Sequence, residues 1–99
     1  MSKIIIRTKE DLRAIKTRLQ SGDWVLTDET KIKALEHGGI LEIHPITKGR
    51  YTTILKAEIT NITNASRNPL RRKVIGFKNP QLIETSNIYK TQWVVKFEE

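Results

Sequence analysis

The chain has 99 residues, of which 37% are hydrophobic and 29% charged, and this is typical of one folded domain over residues 1–99 rather than a disordered tail. Eighteen Lys and Arg residues against eleven Asp and Glu give a net charge of +7, which attracts polyanions such as nucleic acid, although lysine-rich surfaces also serve solubility alone. The absence of cysteine excludes disulfides, thiolate metal sites and a cysteine nucleophile.

The first predicted elements are a strand and a helix. Lys3–Arg7, rich in isoleucine, predicts a short buried strand. Its apolar run is too short for a signal peptide and no segment reaches membrane-spanning length, so we expect an intracellular, cytoplasmic protein. Thr8 is the expected N-cap of a helix with Asp11 reaching back to it. Leu12, Ile15 and Leu19 form one apolar stripe, and Gly22 is the expected helix end.

The middle of the chain predicts strands joined by a short helical turn. Trp24–Thr27 suits a strand, and Asp28 is the expected cap of a turn that ends at Gly38 and Gly39. Two further strands follow, one from Ile40 to His44 and one from Tyr51 to Ile62. In the second, alternation places Leu55, Ala57 and Ile59 inward. Ile54 and Ile62 fall on the outward set, so either both faces are covered near the strand ends or a bulge shifts the register.

The last third of the chain begins with a basic segment. Residues 61–80 contain no acid and five cations, namely Arg67, Arg71, Arg72, Lys73 and Lys78. The pattern predicts a loop, a short strand over Val74–Phe77, a helical turn over Pro80–Ser86 and a closing strand over Trp93–Phe97. Guanidinium groups on a loop make bidentate contacts to phosphate, so these five cations are the leading binding candidates, against the alternative of a solvated loop.

This order of elements resembles the ASCH domains of the PUA-like superfamily, which are small β-barrels flanked by helices and associated with RNA. The resemblance is carried by Ser21-Gly22, by Thr27-Asp28-Glu29 with Gly38-Gly39-Ile40-Leu41-Glu42-Ile43, and by Ile88-Tyr89 with Gln92-Trp93-Val94-Val95-Lys96-Phe97. It implies an α+β fold, a small PUA-like (ASCH-like) β-barrel with one N-terminal helix and short flanking helical turns.

The chain departs from the family at the loop after the first helix. Family members typically have Gly-x-Lys-[Thr/Ser] there, whereas this chain has Gly22-Asp23-Trp24-Val25. Lysine would activate the hydroxyl or hold an oxyanion, and tryptophan does neither. The amidohydrolase activity of some ASCH proteins therefore does not carry over to this chain.

Four aromatic or basic residues outside the loop are further binding candidates. Trp24 would stack a base if exposed, but in a chain with six aromatic residues it is expected in the core. Tyr51, next to Arg50, is the better stacking candidate. With Arg18 these residues would extend the binding groove toward the Gly22 loop.

Three polar residues on neighbouring strands suggest an alternative, catalytic function. Glu42 and His44 share a strand face and Glu58 is expected opposite them, which would allow acid–base catalysis on an RNA 2′-hydroxyl or simply a cross-strand polar pair. Two histidines without a spacing motif do not predict a metal site, and no cofactor is implied.

Three functions are compatible with these patterns. The first is a small nucleic-acid-binding module, with RNA the favoured ligand, that uses the basic loop and barrel mouth. The second is a ribonuclease or modified-nucleoside hydrolase with a re-sited catalytic group. The third is a protein-interaction module, such as a virus- or mobile-element-encoded inhibitor, with Val94 on an exposed edge.

Overall fold

The computed structural model describes residues 2–46, 51–68, 70–86 and 95–98, without the side chains of Asp23 and Lys96. These residues form an α+β arrangement, as predicted. In chain order its elements are β1 (Lys3–Thr8), α1 (Leu12–Arg18), β2 (Gln20–Val25), α2 (Glu29–Glu36), β3 (Ile40–Pro45), β4 (Tyr51–Asn64), β5 (Arg72–Ser86) and β6 (Val95–Glu98).

The strands form one six-stranded sheet in the order β2-β5-β4-β3-β1-β6. β1 and β3 are parallel, and every other neighbouring pair is antiparallel. Within the described ranges no pairing joins β2 to β6, so the sheet is open there. The barrel implied by the ASCH resemblance therefore stays a prediction.

Helix α1 begins and ends at different residues from those predicted. Its N-cap is Asp11, whose Oδ1 accepts a hydrogen bond from the Arg13 amide at 2.9 Å. The predicted cap, Thr8, instead accepts from the Glu10 amide in the preceding turn. The helix ends before Leu19, which has a left-handed φ of 56° and donates its amide to the Ile15 carbonyl. The predicted end at Gly22 is wrong, because Gly22 lies within β2.

Helix α2 confirms the predicted cap and turn. Asp28 Oδ1 accepts from the Lys31 amide at 3.2 Å, and Gly38 follows the helix with a φ of 96°. Because a side chain is strained at that angle, glycine suits the position. Lys31 Nζ lies 5.1 Å from the centre of the Phe97 ring, so the helix also contacts β6.

The long hairpin of β4 and β5 differs most from the sequence prediction. The helical turn predicted over Pro80–Ser86 is wrong, because these residues continue β5 and pair with β4 as far as Ser86 with Tyr51. β2 also begins four residues earlier than predicted, at Gln20. The predicted closing strand is described only from Val95 onward, so Trp93 and Val94 lie outside the described residues.

The hydrophobic core lies between the two helices and one face of the sheet, here called the inner face. It contains Ile4, Ile6, Leu12, Ile15, Leu26, Ile32, Leu35, Leu41, Ile43, Leu55, Ala57, Ile59, Ile75 and Phe77. The predicted inward alternation of Leu55, Ala57 and Ile59 is confirmed. On the opposite, outer face, Ile5 and Ile54 are also buried. Ile62, predicted on the outer face, packs instead against the core, because the pairing of β4 with β5 shifts between Ile59 and Asn61.

Neither α1 nor α2 has the length and apolar character that crossing a bilayer requires.

Candidate nucleic-acid interface

The loop between β4 and β5, described at residues 65–68 and 70–71, presents two arginines to solvent. Its base is closed by the Ala65 amide, which donates to the Arg72 carbonyl at 3.0 Å. Asn68 has a left-handed φ of 54°, and its carbonyl accepts from the amides of both Arg71 and Arg72. This turn leaves Arg67 and Arg71 exposed, and neither forms an ion pair with any described residue. The loop therefore displays two uncompensated guanidinium groups.

The other three predicted cations lie below or beyond the loop. Arg72 is half-buried at the start of β5. Lys73 is buried, and its Nζ donates to Asn64 Oδ1 at 2.7 Å, which joins the two strands directly beneath the loop. Lys78 is exposed on β5, opposite Glu58 on β4. It lies seven positions along the chain from Arg71, or roughly 23 Å at the spacing of an extended strand.

Arg18 lines a surface cavity together with two residues of the loop, Ala65 and Ser66. The cavity has a volume of about 290 Å³ and is lined by Arg18, Gln20, Gly22, Ala65, Ser66 and Val74. Arg18 Nη1 lies 2.8 Å from Glu10 Oε1, and its Nε donates to the Gln20 carbonyl. A guanidinium has five N–H donors, so three remain for a phosphate at this position.

Of the two predicted aromatic residues, Trp24 lies across from Lys73 at the base of the basic loop, whereas Tyr51 lies far from the loop. Trp24 is half-buried against the core, and its Nε1 donates to Ser21 Oγ at 3.0 Å. Tyr51 is 63% exposed, but it pairs with Ser86 at the end of the hairpin opposite the loop. Arg50 lies outside the described residues. Tyr51 thus belongs to a different part of the surface from Arg67 and Arg71.

Glu42 and His44 form a buried pair on the outer face. His44 is only 2% exposed, and its Nε2 lies 3.0 Å from Glu42 Oε1. Burial, together with the positive charge of Arg7, lowers the pKa of His44 from 6.5 to about 4. The imidazole is therefore neutral at pH 7, and Nε2–H donates to the carboxylate.

Lys3 holds the second carboxylate oxygen of Glu42. Lys3 Nζ donates to Glu42 Oε2 at 2.9 Å and lies 3.5 Å from Glu98 Oε2. The hydrogen bond to Glu42 raises the pKa of Lys3 above its ordinary value, so the lysine is charged. Because Lys3 and His44 both bind Glu42, the carboxylate is fully engaged within the sheet.

Glu58 does not join this pair. It is exposed, lies across from Ile40 rather than Glu42, and accepts a hydrogen bond from Asn79 Nδ2 at 2.6 Å. General acid–base catalysis requires the catalytic atoms within hydrogen-bond reach of the substrate. The burial of Glu42 and His44 therefore favours a structural polar pair, the non-catalytic alternative predicted from the sequence.

The sequence reading missed the polar residues that lie around the basic loop. Gln20 and Ser66 share a cavity with Arg18, although the sequence placed residue 20 in a helix. It also missed Lys3 as a partner of Glu42. The period-two alternation of β1, which puts Lys3, Ile5 and Arg7 on one face, was the available signal.

Comparisons with known proteins add no relative. The chain matches no protein-family model, no curated protein and no solved structure. The ASCH resemblance stays a prediction from the sequence.

Among the described residues, no group of three or more His, Asp or Glu residues has the arrangement of a metal site.

Proposed function

We propose that this chain is a small cytoplasmic nucleic-acid-binding domain of PUA-like architecture, with RNA as its preferred partner. The observation that carries the proposal is the exposure of Arg67 and Arg71 without ion pairs among the described residues. They lie on a loop inside a segment, residues 61–80, that contains no acidic residue. Such a loop lacks the local carboxylates that would compete with phosphate for these side chains.

The residues near the loop have different parts in this proposal. Arg67 and Arg71 contact phosphates directly, and Arg18 contacts a phosphate from the other side of the shared cavity. Lys73 supports the loop through its bond to Asn64. Lys78 contributes only to the long-range potential, because of its distance along β5.

The first experiment measures binding of short labelled single-stranded RNA, duplex RNA and duplex DNA over a range of salt concentrations. We expect the affinity for RNA to fall linearly with salt on logarithmic axes, because phosphate binding releases counterions. The double variant Arg67→Gln/Arg71→Gln should weaken binding by roughly tenfold for each arginine, since hydrogen bonds to charged groups contribute about 1.5–3 kcal/mol. Its salt slope for single strands should fall by about 1.4.

The matched control is Arg13→Gln/Lys33→Gln, which removes the same charge from exposed positions on α1 and α2. If both double variants weaken binding equally, net charge alone explains the affinity and the basic loop is not the site. If the wild-type chain binds none of the three probes at low salt, the proposed function is wrong. An acidic protein partner would then be the next candidate.

A further inference from the structure

A row of three residues on the outer face of the sheet has a glycine at its centre, and the Asn61 amide lies over this glycine. Gln20 on β2 pairs with Gly76 on β5, and Gly76 pairs with Asn61 on β4. Residues paired directly across strands share a face, so the two amide side chains stand on either side of a position with no side chain. Two strand spacings, about 9.6 Å, separate the backbones of Gln20 and Asn61.

Two adjoining cavities beside this row form a groove along the strands. One cavity of about 230 Å³ contains Gln20, Asn61, Thr63, Val74 and Gly76 among its lining residues. It shares Gln20 and Val74 with the cavity of about 290 Å³ that reaches Arg18 and Ser66. We name this continuous surface the glycine groove, and its defining residues are Gln20, Gly22, Asn61, Thr63, Val74 and Gly76.

The two glycines keep the floor of the groove low. A Cβ at Gly22 would lie 2.8 Å from Val74 Cγ2, and a Cβ at Gly76 would overlap Asn61 Oδ1. Glycine within a strand often marks a place where another molecule approaches the backbone closely. The absence of a Cβ at Gly76 also leaves room for the Asn61 amide, which lies over this glycine.

The polar groups along the groove are available to a ligand. Gln20 and Asn61 are exposed, and neither side-chain amide hydrogen-bonds to a described residue. Each amide offers a donor and an acceptor side by side, which matches the hydrogen-bonding edge of a nucleobase. Arg18 and the basic loop lie at one end of the same groove and supply positive charge for a phosphate.

We propose that the glycine groove binds one unpaired nucleotide, with its base between the amides of Gln20 and Asn61. This inference rests on the proposed function and deepens it, because it names single-stranded RNA as the substrate class. In a duplex the base edges are paired and stacked, whereas in a single strand a base turns out and presents its edge to side chains. The phosphate of the same nucleotide lies toward Arg18 and the basic loop.

The test compares Gln20→Ala and Asn61→Ala with the control Gln81→Ala, which removes an exposed strand glutamine remote from the groove. The probes are labelled single-stranded oligo-U, oligo-A and oligo-C and one RNA duplex. We expect each groove variant to lose affinity for the preferred single strand by roughly tenfold and to bind the three single strands more equally. Duplex affinity and the salt slope should not change, because the arginines remain.

Gly76→Ala provides an independent steric test. Its Cβ would displace Asn61 Oδ1, the end of a flexible side chain, so the fold should tolerate the change while the groove is obstructed. We expect the same selective loss for single strands, with an unchanged far-UV circular dichroism spectrum.

The outcomes separate this inference from the proposed function. If Arg67→Gln/Arg71→Gln weakens binding but the three groove variants bind all probes as the wild type does, the glycine groove is not a nucleotide site and the basic loop is. An equal loss on duplex and single strand would also overturn the inference. If the arginine variant matches its charge control, the basic loop is not the phosphate site, and if the wild-type chain binds none of the probes, the proposed function itself is wrong.

Discussion

At the scale of single residues, the buried His44 makes stability depend on pH. Its pKa is about 4 in the folded chain and near 6.5 when exposed, so the unfolded chain binds more protons between these values. The contribution of His44 therefore leaves the free energy of unfolding at its highest value above pH 6.5 and lowers it as the pH decreases toward 4. We expect a loss of roughly 2 kcal/mol between pH 7 and pH 5, measured by urea denaturation.

The variant His44→Gln should remove most of this slope, whatever its effect on stability at pH 7. His37→Gln is the matched control, because His37 is exposed at the end of α2. A wild-type unfolding free energy that is constant between pH 5 and pH 7 would contradict the neutral, buried imidazole.

Residue types alone could not predict which residues of the candidate site are exposed on the loop and which are buried or distant from it. The exposure of Arg67 and Arg71 follows from sequence, since both lie in a segment of loop-forming residues. The burial of Lys73 does not, because it depends on the register that places Asn64 directly across the hairpin. The distance of Tyr51 from the loop likewise depends on the length of β4 and β5.

At the scale of secondary-structure elements, the cap of α2 is a direct test of local stability. This helix has eight residues, and the Asp28 carboxylate satisfies one of its free amides. Asp28→Ala should lower the unfolding free energy by about 1 kcal/mol, because the Lys31 amide loses its partner. Urea denaturation should show a lower midpoint with an unchanged m-value.

Asp28→Asn separates the cap from the charge. Asparagine caps as well as aspartate, so this variant should stay close to wild type, apart from the weak ion pair with Lys31 at 4.0 Å. A loss in Asp28→Asn as large as that in Asp28→Ala would show that charge, and not the cap, stabilises the helix.

The elements that sequence predicted well are those with local signals. Asp28 and Gly38 mark the start and end of α2, and alternation marks β4. The second half of β5 was missed because Pro80 normally disfavours a strand. Pro80 is tolerated here because the pairing of β5 with β4 shifts at Asn79, which has a φ of 52°. In addition, β2 pairs with β5 only up to Gly76, so β2 is not paired with β5 at Pro80.

At the scale of the whole molecule, one core joins every part of the sheet to both helices. We therefore expect a single cooperative unfolding transition, with coincident curves from circular dichroism and tryptophan fluorescence. Ile6 is fully buried in β1, between Ile43 of β3 and Val95 of β6. Ile6→Ala should lower the unfolding free energy by about 2–5 kcal/mol and shift both curves together.

Ile6→Val, which removes one methyl group, should cost only about 0.5–1.5 kcal/mol. Separate midpoints for the two signals in Ile6→Ala would mean that the β2–β5–β4 part of the sheet unfolds independently of β1, β3 and β6.

The parallel pairing of β1 with β3 has a consequence for the order in which the chain acquires structure. Lys3 has to meet Ile40, with α1, β2 and α2 between them, and then Glu98 on its other side. The β4–β5 hairpin instead closes between segments that adjoin in sequence, and this is kinetically easier. During synthesis on the ribosome, we expect the β4–β5 turn that carries Arg67 and Arg71 to form before β6 is available to pair with β1.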